Sequence, residues 1–227
     1  MAYVEDVAVV PSIRISSTSH RIIVIAENRV QVSVDGDAQV VSEGPRTTVQ
    51  DVEGRLVVRV PEGTDIVVGS TSGQIRVEGP IGDVAVTTES GRVRVQDAAS
   101  VDVRTNSSRV QINRVASDCR VRTRSGRVQV HHCGGRADLA TKSGRIQLRA
   151  GDGPVIAHCT SGRIRVSLLS AHDVKAETVT GRIAVSLPVG VRPYELEQQA
   201  LPAATPEGYD CTVIARSVSG RVTIDSR

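Results

Sequence analysis

One short phrase, a hydroxyl residue followed by glycine and arginine, returns along most of this 227-residue chain. The central residues of the first seven copies lie 18, 17, 18, 18, 18 and 19 residues apart. A fixed period of this length indicates one supersecondary unit stacked on copies of itself. The copies are Ser72-Gly73-Gln74, Ser90-Gly91-Arg92, Ser107-Ser108-Arg109, Ser125-Gly126-Arg127, Ser143-Gly144-Arg145, Ser161-Gly162-Arg163, Thr180-Gly181-Arg182 and Ser219-Gly220-Arg221.

Apolar residues alternate with polar ones on both sides of each central position. In the repeat centred on Gly126, Cys119 and Val121 precede the centre, and Val128 and Val130 follow it. Period-two alternation predicts two short strands, each with one buried face. Eighteen residues are too few for a strand-helix-strand crossover, so each strand is expected to pair in parallel with its equivalent in the next repeat. The sequence therefore predicts an all-β fold, a parallel β-solenoid of about 18 residues per coil.

The composition favours a narrow core. Phe and Trp are absent, and Tyr occurs only at positions 3, 194 and 209. Such a core holds one layer of β-branched and small side chains from facing walls. Cys119 and Cys159 fall on inward positions of the pattern and are expected to be buried core residues, not parts of a disulfide framework.

The repeat pattern divides the chain into two predicted parts. Residues 1–60 lack the period and are expected to form an irregular, mainly antiparallel N-terminal β cap, with strands at 21–25, 29–34, 38–41 and 56–60. Asp35-Gly36 is a plausible hairpin turn in this cap. Residues 61–227 are expected to form the β-solenoid repeat domain, with a degenerate coil and a loop at about 187–211.

Charge is unevenly distributed along the chain. Residues 1–65 carry 6 basic and 10 acidic side chains, whereas residues 66–190 carry 18 basic and 10 acidic ones. The repeat array is therefore the basic part of the chain. No run of 18 apolar residues predicts a transmembrane helix, and the first residues lack the basic and apolar regions of a secretory signal. The chain as given is expected to be cytoplasmic.

The residues around the first copy carry a family resemblance. Val60-Pro61-Glu62-Gly63, followed by the Thr-x-Ser-Gly-x-Val-x-Val type of phrase, resembles the bacterial putative-adhesin family over about residues 45–227. The resemblance implies right-handed β-solenoid proteins built of β-strand repeats and of unknown function. Members often place Asp after the corner glycine, whereas this chain places Arg. A more distant likeness is to bactofilins, short β-solenoids that polymerise end to end.

The clearest candidate site is an outward column of arginines, here named the arginine file. Equivalent side chains on stacked coils lie about 4.8 Å apart, so the file creates a strong local positive potential. We expect counter-charge from a bound anion or from Glu89 and Asp97. The alternative is a solvated face without a ligand. The file consists of Arg92, Arg109, Arg127, Arg145, Arg163, Arg182 and Arg221.

Three functional hypotheses stay open. The first is a non-enzymatic scaffold that assembles through its solenoid ends or docks a partner. The second is a module that uses the arginine file to bind a polyanion such as an anionic polymer or a membrane surface. Nucleic acid is a weaker candidate ligand because the array has no aromatic side chain for base stacking. The third is a carbohydrate-active enzyme built on Glu195, Glu197 and Glu207, for which no spaced acid pair gives support.

Neither a metal nor a cofactor is predicted. His131-His132-Cys133 and His158-Cys159 are the clusters closest to a metal site, and they lack a complete ligand set at standard spacing. Along a strand His158 should point outward and Cys159 inward. No catalytic residues are assigned, and the chain is predicted not to be an enzyme.

Overall fold

A computed structural model describes residues 11–195 and 207–226 of the chain. The prediction of an all-β protein is confirmed: within these ranges the regular structure is strand, without a helix. The strands are β1 (Ser12–Glu27), β2 (Ser33–Glu43), β3 (Arg46–Pro61), β4 (Asp65–Val115), β5 (Cys119–Cys133), β6 (Ala137–Gly151), β7 (Val155–Leu168), β8 (Val174–Leu187), β9 (Pro193–Glu195), β10 (Cys211–Ser219) and β11 (Val222–Ser226).

Strands β4 to β8 pair in parallel, and each residue lies opposite its equivalent one repeat away. Val128 of β5, for example, lies opposite Val110 of β4 and Ile146 of β6. Strand β4 is 51 residues long and runs through three successive repeats. The sequence period therefore predicts the pairing register correctly, because only this register places every alternating apolar set on the same buried side.

The core follows the predicted inward positions. Buried aliphatic side chains form one cluster that extends from Ile13 of β1 to Val213 of β10. Cys119 and Cys159 are buried free thiols within it, which confirms their expected place. Aromatic packing in the described part of the chain is at the periphery, where the rings of Tyr194 and Tyr209 lie 5.0 Å apart.

The N-terminal region differs from the prediction in strand direction. Strand β1 lies between β3 and β4 and is parallel to both, so the predicted mainly antiparallel cap is wrong for β1 and β3. The reason is burial: Ile13 lies opposite Ile66, and Ile22 opposite Ile75, so β1 continues the inward apolar pattern of the repeats. The division of the chain at residue 60 stays a prediction.

Among the described residues of this region only β2 is antiparallel to its neighbour, and its hairpin turn is not at the predicted place. The turn is Gly44-Pro45, between β2 and β3. Asp35-Gly36 lies inside β2, where the pairing with β3 shifts register. A Cβ at Gly36 would lie 2.7 Å from the carbonyl oxygen of Arg55, so this glycine serves a close approach of two strands. Residues 28–32, in the predicted strand 29–34, are not strand.

At the C-terminal end of the sheet, as at the N-terminal end, the order of the strands in the sheet differs from their order in the chain. Strand β10 pairs with β8, and the earlier strand β9 lies on the outer side of β10, with Pro193 opposite Cys211. Strand β11 also pairs with β8. The predicted degenerate coil thus contributes β9, whereas residues 196–206, which include most of the predicted loop, lie outside the described residues.

Candidate functional site

The corner of each repeat depends on a glycine because successive corners lie in close contact. A Cβ added at Gly144 would lie 1.9 Å from the carbonyl oxygen of Gly126, and one at Gly162 would lie 1.9 Å from that of Gly144. Contacts this short leave no room for any side chain. The stacked corners therefore form a strip of bare backbone along the molecule.

Ser108 is the exception in the file of corner glycines. Its side chain is buried, and its hydroxyl oxygen lies 2.6 Å from Thr105 Oγ1. In neighbouring repeats the hydroxyl equivalent to Thr105 has another role: Thr123 Oγ1 donates to the carbonyl oxygen of Ser125, 3.0 Å away. The same bond is made by Ser70, Thr88 and Thr141. At this non-glycine corner, therefore, the threonine hydroxyl bonds to the Ser108 hydroxyl in place of the carbonyl oxygen two residues further along the chain.

The structure brings five members of the predicted arginine file together. They lie opposite one another in the parallel register and line an open groove of about 830 Å³, here named the arginine groove. Four of the corner glycines and three serines, Ser107, Ser108 and Ser125, also line it. Arg92 and Arg221 are not among its lining residues. The five are Arg109, Arg127, Arg145, Arg163 and Arg182.

The five arginines of the groove have no ion-pair partner within the described ranges. Glu89 and Asp97, the carboxylates predicted as one source of counter-charge, make no ion pair with them in these ranges. The groove is consequently a row of unneutralised guanidinium groups.

Arginines on another face of the same repeats do have acidic partners. Arg104 lies 3.2 Å from Asp102 Oδ2, and Arg122 lies 3.7 Å from Asp138 Oδ2. Arg120 also contacts Asp138, at 3.5 Å. Both sets of arginines lie on the repeat strands, and they differ in whether a carboxylate lies within ion-pair distance.

A second file, of glutamines, lies two residues beyond the arginines on β4, β5 and β6. Gln129 Nε2 donates to Gln147 Oε1 at 3.5 Å, and Gln111 lies opposite Gln129 in the register. Arg165 takes the next place, opposite Gln147. The groove is therefore bordered by amide groups that can donate and accept hydrogen bonds.

Aspartates eight residues before the centre of a repeat accept hydrogen bonds from the backbone of the next repeat. Asp65 Oδ1 accepts a hydrogen bond from the N–H of Asp83 at 2.8 Å, and Asp118 Oδ1 accepts one from Arg136 at 3.0 Å. Asp173 Oδ1 likewise accepts one from Thr212 at 2.7 Å. Their shared place, eight residues before the centre of a repeat, is a sequence signal for this role.

The remaining candidate residues are not brought into a site. His158 is exposed and its Nδ1 lies 3.9 Å from Glu177 Oε2, whereas Cys159 is buried, as the alternation predicts. No group of three potential metal ligands occurs in the described part of the chain. Glu197, one of the three acids of the enzyme hypothesis, lies outside the described residues.

The described residues contain no helix with the length and apolar character that crossing a bilayer requires. Cytoplasmic localisation stays a prediction from the sequence.

Two solved structures are similar to this chain. One is a putative adhesin from Bacteroides fragilis, with 12% identity, a TM-score of 0.38, and coverage of 96% of this chain and 92% of that chain. The other is a putative cell adhesion protein from Clostridium sporogenes, with 7% identity, a TM-score of 0.25, and coverage of 96% and 93%. No curated protein matches the chain.

The family comparison is decisive for classification. Nothing among these matches supports the predicted likeness to bactofilins. The model of one family, Toastrack DUF4097, matches residues 10–225, which is nearly the whole sequence. The chain belongs to the Toastrack DUF4097 family.

Proposed function

We propose that this protein is a non-enzymatic, adhesion-type β-solenoid that binds an extended anionic polymer in its arginine groove. The solenoid part of the proposal is supported by parallel pairing at a constant offset: 18 residues from β4 to β5, from β5 to β6 and from β6 to β7. Each repeat then forms one coil, and the groove runs along the stacking direction, across the strands.

The observation that carries the binding proposal is the missing counter-charge. Guanidinium groups on adjacent coils about 5 Å apart repel each other by roughly 1 kcal/mol per pair even in water. On the other face of the same repeats Asp102 and Asp138 relieve this repulsion, but in the arginine groove no described carboxylate does. An anion that spans several coils would relieve it at several positions at once.

The chemistry of the groove suits many-point contact with a chain-like ligand. Arginine stays charged at all physiological pH values and binds carboxylate or phosphate groups through two parallel hydrogen bonds. Single exposed ion pairs contribute little, about 0–1 kcal/mol, so affinity must come from several arginines acting together. Binding should therefore require a polymer and weaken steeply with salt.

A matched pair of triple variants tests the proposal. R127Q/R145Q/R163Q removes three charges from the groove, and R104Q/R120Q/R122Q removes three charges from the acid-paired face. On heparin at low salt, the groove variant should elute at much lower salt than the parent, and the paired-face variant close to the parent. Thermal melting checks that both variants stay folded. Equal losses in the two variants, or no retention of the parent, would contradict the proposal.

A second candidate, self-assembly through the solenoid ends, is supported by the two outer strands. Strand β2 is mostly exposed and carries Asp35, Asp37 and Glu43. At the other end, β9 pairs with only Cys211–Val213 of β10, among described residues, and Arg216 of β10 is exposed. An acidic edge strand at one end and an exposed arginine, Arg216, near the other end suit head-to-tail contact between copies.

Sedimentation velocity over a wide concentration range tests the second candidate. Oligomers that grow with concentration and shrink with salt are expected. Arg216→Glu should weaken them, and the further change Asp37→Arg should restore them by reversing the charge pair. A monomer at every concentration would rule out assembly through the ends.

A further inference from the structure

We infer that the polymer bound by the arginine groove is a linear acidic polysaccharide with a carboxylate on each sugar. The inference rests on the proposed function and names its ligand class. Three features of the groove carry it: the spacing of its charges, the hydrogen-bonding groups beside them, and the kinds of side chain that the groove lacks.

The spacing selects a regular polymer that runs along the file. Arg127, Arg145 and Arg163 lie in register on adjacent strands, which are about 4.8 Å apart. A sugar in an extended chain advances the polymer by nearly the same distance. One carboxylate per sugar can then meet one guanidinium per strand, and each pair can adopt the planar two-bond geometry that arginine favours.

Neutral hydrogen-bonding groups border the charges on both sides. Ser107 and Ser125 lie at the groove, and the glutamine file lies beyond the arginines, with Gln129 bonded to Gln147 at 3.5 Å. This bond is long for an N–H donor, so the amides can turn to other partners at little cost. Hydroxyl and amide groups suit the many hydroxyls of a sugar chain, which a polyphosphate does not have.

The side chains lining the groove argue against the other polyanions. None is aromatic, whereas proteins that bind single-stranded nucleic acid usually stack bases on aromatic rings. None is a large apolar residue, and stable binding to a lipid surface commonly inserts such residues between headgroups. The bare glycine strip has no side chain that would hold a sugar chain away from the backbone. The inference implies that the protein reaches acidic polysaccharide, which differs from the cytoplasmic prediction.

The test compares the binding of four anionic ligands and one neutral polymer to the unmodified protein. Labelled polygalacturonate, polyphosphate, oligo-dT and phosphatidylserine vesicles are titrated at low salt, with dextran as the neutral polymer. Polygalacturonate should bind at least tenfold more tightly than the other anions, and dextran should not bind. R127Q/R145Q/R163Q should abolish polygalacturonate binding.

A glutamine variant separates this inference from the general proposal. Q129A/Q147A should weaken polygalacturonate binding several-fold and polyphosphate binding less, because a sugar hydroxyl can use both the donor and the acceptor of each amide, whereas a phosphate oxygen can only accept. Groove-dependent binding that is as strong for polyphosphate, oligo-dT or vesicles would overturn the polysaccharide inference and leave the proposed function standing. No groove-dependent binding of any polyanion would overturn both.

Discussion

The carboxylate of Asp118 accepts a hydrogen bond from the backbone N–H of Arg136, 3.0 Å away and one 18-residue repeat further along the chain. The bond joins two stacked corners that have little else between them but backbone. Asp65 and Asp173 make the equivalent bond to later residues. The Asp118 side chain is therefore a connection between repeats.

Removal of this connection should destabilise the protein moderately. Asp118→Ala leaves the N–H of Arg136 without its protein acceptor at an exposed corner, and the expected loss is about 1 kcal/mol in the free energy of unfolding. Asp118→Asn keeps an oxygen acceptor and should lose less. Urea denaturation followed by circular dichroism measures both variants. An Ala variant as stable as the parent would show that water replaces the carboxylate at no cost.

Substitution of a corner glycine should be much more damaging. Gly144→Ala would place a Cβ 1.9 Å from the carbonyl oxygen of Gly126, and Gly144 has a φ of 150°. We expect a loss of about 3 kcal/mol or more, because the two neighbouring corners must move apart. Gly190→Ala is the matched control: its φ is also positive, at 83°, but a Cβ there meets no atom within 4 Å.

The control, Gly190→Ala, should lower the free energy of unfolding by about 1 kcal/mol, because only the backbone conformation disfavours alanine there. Thermal melting of the two alanine variants gives the comparison. Similar melting temperatures for both would mean that the close contact of successive corners is not maintained in solution.

The hydroxyl at the corner gives a smaller, separate test. Thr123 is nearly buried and its hydroxyl donates to the carbonyl oxygen of Ser125 at 3.0 Å. Thr123→Val keeps the shape and removes the donor, so the expected loss is about 1 kcal/mol. Thr160→Val, at an exposed strand position, should change stability little. A neutral Thr123→Val variant would contradict a stabilising role for this bond.

Because the chain has buried thiols, we expect its free energy of unfolding to fall at alkaline pH. Burial raises the pKa of the Cys159 and Cys211 thiols, so the folded state resists forming thiolates. The unfolded chain ionises at the ordinary thiol pKa of about 8.5, so unfolding is favoured progressively as pH rises above about 8.5. Below that pH both states are protonated and the effect disappears.

Unfolding free energies at pH 7.5 and 9.5 measure this dependence. C159A/C211A should show a smaller decrease between the two pH values than the parent, whatever its absolute stability. The same decrease in both proteins would assign the alkaline loss to other groups.

The local pattern predicted much of the fold and part of the site. The inward places of Val128 and Val130, the parallel register of successive repeats and the alignment of Arg127 with Arg145 all follow from a fixed period. Once each repeat has the same buried positions, any other register would expose half of the apolar side chains. Which arginines would have acidic partners did not follow, because Asp102 and Asp138 belong to a different column.

The ends of the sheet could not be predicted in the same way. Strand β1 pairs with β4 across 53 residues of sequence, from Ser12 to Asp65, and β3 lies outside it. Strand β9 lies outside β10 by a similar inversion. No local pattern distinguishes these orders from the sequential one, since each strand offers the same alternating face to either neighbour.

The sequence alone determined the repeat, the buried faces and the charge of the arginine file, because these depend on spacing that the chain carries within each 18-residue unit. Only the tertiary structure decided which strands cover the ends, which aspartates join the corners and which arginines lack a carboxylate. These features depend on contacts between residues that come from different repeats. The energy of each contact depends on which side chains lie next to it in the folded protein.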